Sequence, residues 1–389
     1  MGTPTDQNLE WWQSSGATAG TLPLHPVPPP DWMNSDDEWL AAQEERVRKV
    51  LEIQPIKFIF DVRVEWLMTR GIARAINAYQ FNLERLAKSF QAMEADILGW
   101  EIAGELDRDI GWDLQQSALF GFAHMPIYEV ICQCTKQATG GPIWTSGFGT
   151  WGMTWMGVDI RQSQAWDMTD VINLHAYEFQ RTVEDDAEWL DQVLFSFTPE
   201  IEGEMDWQAH QRRCTATSLQ PVKPVAVTEY GFPGILDGKG IFLVSQSAGP
   251  VQAYDLEEQA RGIELGYAIW SKYDPVAVIW HRLEDLSTAE DTKWQPHCGL
   301  IGRDGKPKPS WYAFLEAVKK HCASSAAHTN PYLYSYRTSH IWSCVGHHGR
   351  GVYQNAGCAH DGAHRGLFGL RLSIQDFARV VSPINQAIP

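Results

Sequence analysis

The chain has 389 residues, 44% of them hydrophobic and 20% charged. That balance excludes global disorder and leaves room for one large α/β domain with extra segments, or for two domains. The net charge of −17 disfavours a nucleic-acid partner, which needs a basic face, and an anionic membrane surface, and it suits a neutral ligand.

Residues 1–37 are polar and rich in proline (Pro23, Pro26, Pro28, Pro29, Pro30), and read as an irregular arm. The first residues lack a basic stretch followed by an apolar core, so no signal peptide is expected. Cytoplasmic placement is then the default, with secretion if further sequence precedes Met1. A helix follows over about 37–51, with Leu40, Val47 and Leu51 on one side, and then an apolar strand at 56–62. The next helix is the clearest: Ile72, Ile76, Tyr79, Leu83, Leu86, Phe90 and Met93 step by alternating fours and threes along one face. Gly99 marks its exit, and a strand carrying Trp100 and Ile102 begins.

Helix and strand signals then alternate. Helices are predicted at about 113–135, at 183–196 behind a Thr182 cap, and at 256–272 behind Asp255 with Glu258 as a near capping box. A last helix is predicted at 310–320. Strands are predicted at 142–146, 170–175, 225–229 and 276–280. This alternation implies parallel βαβ units. The spacing, about forty residues per strand, suits a βα-barrel with loop insertions, whose chemistry sits at the C-terminal strand ends. No run of about 18 apolar residues is present, so no transmembrane helix is expected.

Two of those strand ends each deliver a glutamate: Glu105 after Gly99–Gly104, and Glu229 after Val225–Thr228. Two carboxyl groups presented in this way are what glycosidic-bond hydrolysis needs, one as proton donor and the other as nucleophile or base. Phosphate-loop, zinc-helix and nucleophile-elbow signatures are absent from the sequence, and no cofactor is expected. The C-terminal stretch 322–389 carries Cys344, His347, His348, Cys358, His360 and His364, whose spacing is looser than that of paired zinc ligands. It reads as an appendage without a metal site. Seven cysteines in a chain of this length read as free thiols.

The strand-end strings resemble those of the (β/α)8 TIM-barrel glycoside hydrolases that carry their catalytic glutamates after strands four and seven, a group that includes cellulases and β-glycosidases. Trp100-Glu101-Ile102-Ala103-Gly104-Glu105-Leu106 is similar to that group's Trp-Glu-Ile-x-Asn-Glu-Pro, with Gly104 for Asn and Leu106 for Pro. Thr228-Glu229-Tyr230-Gly231 resembles its seventh-strand Thr-Glu-aromatic-Gly. Leu174–Tyr177 and Ile279–Asp285 resemble the sixth and eighth strand ends, and the likeness spans about 38–321.

The resemblance implies a retaining glycosidase with Glu105 as acid/base and Glu229 as nucleophile. His175 and Tyr177 would be donors to the nucleophile, and Trp280 would stack under the sugar. Trp144 and Tyr230 would also line the carbohydrate site, with Trp151 and Trp155 as further candidates. Gly104 removes the side chain that would bond the sugar's 2-hydroxyl. A non-catalytic carbohydrate-binding relative is therefore the alternative. If residues 56–62 are strand three, the polar arm must supply strands one and two. The barrel is thus expected to be incomplete or degenerate at its first two strands, with Leu367–Ile374 one candidate to fill the gap.

Overall fold

The computed structural model describes residues 19–53, 56–104, 117–149, 163–176, 182–235, 241–245, 249–252, 254–285 and 297–327. The chain runs β1 (Ala19–Leu24), α1 (Asp36–Ile53), β2 (Lys57–Val62), α2 (Glu65–Arg70), α3 (Ile72–Ala92) and β3 (Asp96–Ile102). It continues through α4 (Ser117–Thr139), β4 (Ile143–Trp144), β5 (Phe148–Gly149), α5 (Gln164–Met168) and β6 (Ile172–Ala176). Then come α6 (Val183–Phe195), α7 (Asp206–Thr215), β7 (Val225–Tyr230), the β8–β9 hairpin (Ile241–Ser245, Gly249–Gln252) and α8 (Leu256–Tyr273). The last elements are β10 (Val278–Trp280), β11 (Arg282–Glu284), β12 (Gly299–Ile301) and α9 (Pro309–Ala327).

The predicted helices form for the reasons their sequences carry. Ile76, Tyr79, Leu83, Leu86 and Phe90 of α3 are all buried. Thr182 caps α6 by accepting from the Asp185 amide, and Asp255 with Glu258 closes a full capping box on α8. Asp274, in the left-handed region at φ 47°, ends α8. The last helix continues to Ala327, past the predicted end.

The fold is α/β with parallel strands. One sheet is ordered β1-β2-β3-β4 and another β10-β7-β6-β5. A parallel bridge from Trp144 to Val171 links them, so β4 and β5 act as two pieces of one interrupted strand. The edges β1 and β10 lie side by side, but no ladder joins them among the described residues. An inner cluster collects Ala19, Ile59, Trp144, Val171, Ala226, Ala277 and Ile279, with Leu98 against it. Every strand of both sheets except the short β5 contributes to it directly or through the adjoining residue. The larger core lies between strands and helices, and includes the stacked rings of Phe60, Phe90 and Trp100, with centroids 4.6 Å and 5.0 Å apart for Phe60 to Phe90 and to Trp100.

The arm is not irregular throughout. Residues 19–24 pair in parallel with β2, Ala19 opposite Lys57 through Leu24 opposite Val62. The strand beside β2 therefore comes from the arm. Leu367–Ile374, the other candidate, lies outside the described residues. The strand was hard to read because Gly20 and Pro23 break its pattern. Pro23 is tolerated because β1 has a ladder on one side only.

Two register shifts shape the inner face. Leu174 pairs with Val227, but His175 pairs with Glu229, and β10 shows the same skip across Val278 and Trp280. A bulge at Thr228–Glu229 thus turns two successive side chains to the interior and re-aims the strand end. The second shift, at Phe58/Ile59 against Ile97/Gly99, lies low on β3. There a Cβ on Gly99 would sit 2.1 Å from Trp144 Nε1, so the glycine admits the indole to the interior.

Candidate active site

The inner face is apolar at its lower end and polar at the C-terminal strand ends. Asp61 comes from β2, Glu101 from β3, Asn173 and His175 from β6, and Thr228 and Glu229 from β7. Asp61, Glu101, Asn173, His175 and Thr228 are buried, whereas the Glu229 side chain is 20% exposed. Asp61 and Glu101 are register partners on neighbouring strands, so both project inward at one level.

Glu229 is the centre of the group. Its Oε2 lies 3.2 Å from His281 Nδ1 and 3.5 Å from His175 Nδ1. The opposite ring nitrogen, His175 Nε2, lies 3.1 Å from Glu101 Oε1 and 3.1 Å from Thr228 Oγ1. Asn173 fixes Thr228 from both sides: its Nδ2 donates to Thr228 Oγ1 at 2.7 Å and its Oδ1 accepts the Thr228 amide at 3.1 Å. A Cβ on Gly147 would fall 2.0 Å from the His175 ring, so the imidazole fits against bare backbone.

Asp61 pairs with Arg63. Burial pushes the Asp61 carboxyl well above the usual carboxylate range. Arg63 opposes that shift, while Glu101 and Glu229 add to it. Asp61 Oδ1 and Glu101 Oε2 are buried without a hydrogen-bond partner. On the neighbouring strand end, His25 stacks on Trp66 at 4.1 Å. Burial, with help from the charge of Arg63, holds the His25 imidazole down at about 4.

The approach to Glu105 is unusual backbone. Ala103 (φ 69°) and Gly104 (φ 44°) both lie in the left-handed region, which turns the chain sharply at the end of β3. Ser146 Oγ donates to the Gly104 carbonyl at 2.6 Å. A Cβ on Gly104 would meet the Arg63 guanidinium at 2.9 Å and Asp61 Oδ1 at 3.0 Å. The space that a side chain at 104 would enter is therefore occupied by the Asp61–Arg63 pair.

The structure brings together Glu229 and His175 from the predicted set. Glu105, Tyr177, Trp151 and Trp155 lie outside the described residues, as does the chain from 328 onward. Trp144, Tyr230 and Trp280 are placed in packing. Trp144 belongs to the inner cluster and is fully buried. Tyr230 faces the helices, its hydroxyl donating to the Gly262 carbonyl at 2.9 Å. Trp280 is 2% exposed, sits edge-on to Tyr230 at 5.6 Å and donates its indole N–H to the Cys298 carbonyl. Strand alternation explains this: beyond the bulge, Glu229 and His281 point inward, so Tyr230 and Trp280 point out.

His281, Asp61 and Arg63 were not singled out as site residues from sequence. Asp61 left a readable signal, the one acidic residue inside an apolar strand run. His281 follows the strand 276–280 at inward parity. Among the described residues no group of three His, Cys, Asp or Glu side chains is arranged to hold a metal ion.

No family model matches the chain, and no curated protein matches it. Solved structures do. An exo-β-1,4-mannosidase from Opitutaceae bacterium strain TAV5 aligns over 80% of this chain and 54% of its own, with TM-score 0.54 and 13% identity. In fold, the chain is similar to glycoside hydrolases. A family 39 glycoside hydrolase from Bacteroides cellulosilyticus WH2 aligns over 82% of this chain and 63% of its own, with TM-score 0.49 and 13% identity. The β-glucuronidase of Ruminococcus gnavus aligns over 80% and 45%, with TM-score 0.44 and 11% identity. The chain spans about half the length of the first of these glycoside hydrolases and of the β-glucuronidase. At these identities the likeness concerns the glycoside-hydrolase-like fold alone.

Proposed function

We propose that the chain hydrolyses O-glycosidic bonds of a β-linked glycoside or polysaccharide on a (β/α) barrel. The mechanism is retaining, with Glu229 as nucleophile and Glu105 as acid/base. The observation that carries this reading is the convergence of two imidazole Nδ1 atoms on one oxygen of Glu229, at a bulged strand end open to solvent. Donors on a carboxylate oxygen favour its ionised form, the form that attacks.

In the first step Glu229 bonds to the anomeric carbon while Glu105 protonates the departing glycosidic oxygen. In the second, Glu105 takes a proton from water, and that water displaces the Glu229 ester with a second inversion. Retention requires carboxyl groups about 5–5.5 Å apart.

A non-catalytic carbohydrate-binding role is the second reading. It is favoured by Arg63 filling the space above Gly104, where the resembling enzymes carry a side chain. Incubation with a panel of 2-deoxy-2-fluoro aryl β-glycosides separates the two. Hydrolysis predicts a mass increase of one glycosyl unit on a peptide containing Glu229, and loss of aryl release to background in Glu229→Ala. Sugar binding without adduct or release would establish the second reading instead.

A further inference from the structure

Glu101 lies one layer below the proposed nucleophile and cannot reach a substrate, being 0% exposed. It touches His175, and His175 touches Glu229. We infer that Glu101 is a positioning residue: it shares a proton with His175 Nε2 and thereby keeps an N–H on Nδ1 directed at Glu229. The consequence for catalysis rests on the hydrolase reading, whereas the proton arrangement does not.

Proton accounting leads to this assignment. A neutral imidazole has one N–H and one lone pair. If the only ring proton sat on Nε2, the Nδ1 lone pair would face the Glu229 carboxylate at 3.5 Å, lone pair against anion. A proton held between Glu101 Oε1 and Nε2 removes that conflict in either of its positions. On the carboxyl, His175 is neutral with its own proton on Nδ1. On the ring, His175 is an imidazolium with protons on both nitrogens. In both forms Nδ1 donates to Glu229, and Glu101 with His175 carries no net charge, the least costly state for a buried pair.

The Thr228 hydroxyl is compatible with both forms. It already accepts from Asn173 Nδ2, and it can give its proton to Nε2 or accept the proton from it. The unpartnered Glu101 Oε2 also fits, since a lone carbonyl oxygen is cheaper to bury than a carboxylate oxygen.

The groups around the pair come from every neighbouring strand end. Asp61 and Arg63 extend β2, Tyr128 lies on α4, Thr228 and Glu229 lie on β7, and His281 follows β10.

Nitrogen-15 NMR of the full chain labelled at histidine tests the assignment without turnover. The expected result is a protonated His175 Nδ1 at neutral pH, identified by loss of its signal in His175→Asn. Glu101→Gln can donate an amide N–H to Nε2, so it should keep Nδ1 protonated and hold kcat within about threefold. In Glu101→Leu, Thr228 can still donate to Nε2 and Glu229 still draws the Nδ1 proton, so the tautomer should hold while the unanchored ring lowers kcat about tenfold or more with little change in KM.

A deprotonated Nδ1 in the parent protein, or an unchanged kcat in Glu101→Leu, overturns the proposal. Should Glu101→Leu fail to fold, judged by circular dichroism, the Gln variant decides: a deprotonated Nδ1 in it would count against the proposal. If Nδ1 is protonated as stated and no glycoside is cleaved, the hydrolase reading fails while the proton arrangement stands.

Discussion

Asp61 shows how one residue couples the site to the stability of the fold. Burial raises its carboxyl well above the usual range despite the Arg63 partner. Between the unfolded carboxylate value of about 3.9 and that raised value, the folded chain binds more protons than the unfolded chain. Stability contributed by this group is therefore present at low pH and lost as pH rises through the window. Asp61→Asn should flatten that slope, which urea unfolding at several pH values between 4 and 8 would measure. Equal slopes in variant and parent would refute the assignment to Asp61.

Parts of the site were legible in single residues. Glu229 and His175 were both marked by their strand-end strings. Trp144, Tyr230 and Trp280 were not legible as packing residues, because an aromatic side chain near a strand end serves a core as readily as a sugar. Only the facing direction separates those uses.

At the scale of elements, helix ends were the most readable feature, since a cap is decided within four residues. Thr182 and Asp255 cap α6 and α8 as their local sequences direct. The ties between strand ends were not readable. Lys308, 7% exposed at its side chain, donates to Asp285 at 2.8 Å, to the Gly234 carbonyl at 3.2 Å and to the His297 carbonyl at 3.1 Å. It thereby joins the loop after β7, the end of β11 and the start of β12. Burial lowers the Lys308 ammonium and raises the Asp285 carboxyl, and each opposes the shift of the other.

Lys308→Met would strand a buried carboxylate, at a cost of about 3–5 kcal/mol. Adding Asp285→Leu should recover much of that loss. Chemical denaturation of the single and double variants tests both statements, and a single variant as stable as the parent would refute the strap. The bulge at Thr228–Glu229 belongs to the same scale. It is a mismatch between three strands, so no string in β7 alone announces it.

For the whole molecule, the arm is structural. β1 covers the edge of β2 and brings Ala19 into the inner cluster beside Ile59 and Ile279. Without it, the apolar face of β2 and an unpaired edge would meet solvent. Deleting residues 1–24 should abolish the cooperative thermal transition or drive aggregation in size-exclusion chromatography. A monomeric, cooperatively melting truncation would show β1 to be dispensable.

The α/β class, the positions of the main helices and a glutamate at the end of the strand 225–229 were legible in the chain alone. These follow from hydrophobic period and capping, which act over a few residues. The packed fold settles that the polar arm supplies a strand, that Arg63 and Asp61 take the space above Gly104, and that two histidines from different strands meet at one oxygen of Glu229. Those outcomes depend on register, on bulges and on which edges lie side by side. They are relations between segments about forty residues apart or more, and no local window contains them.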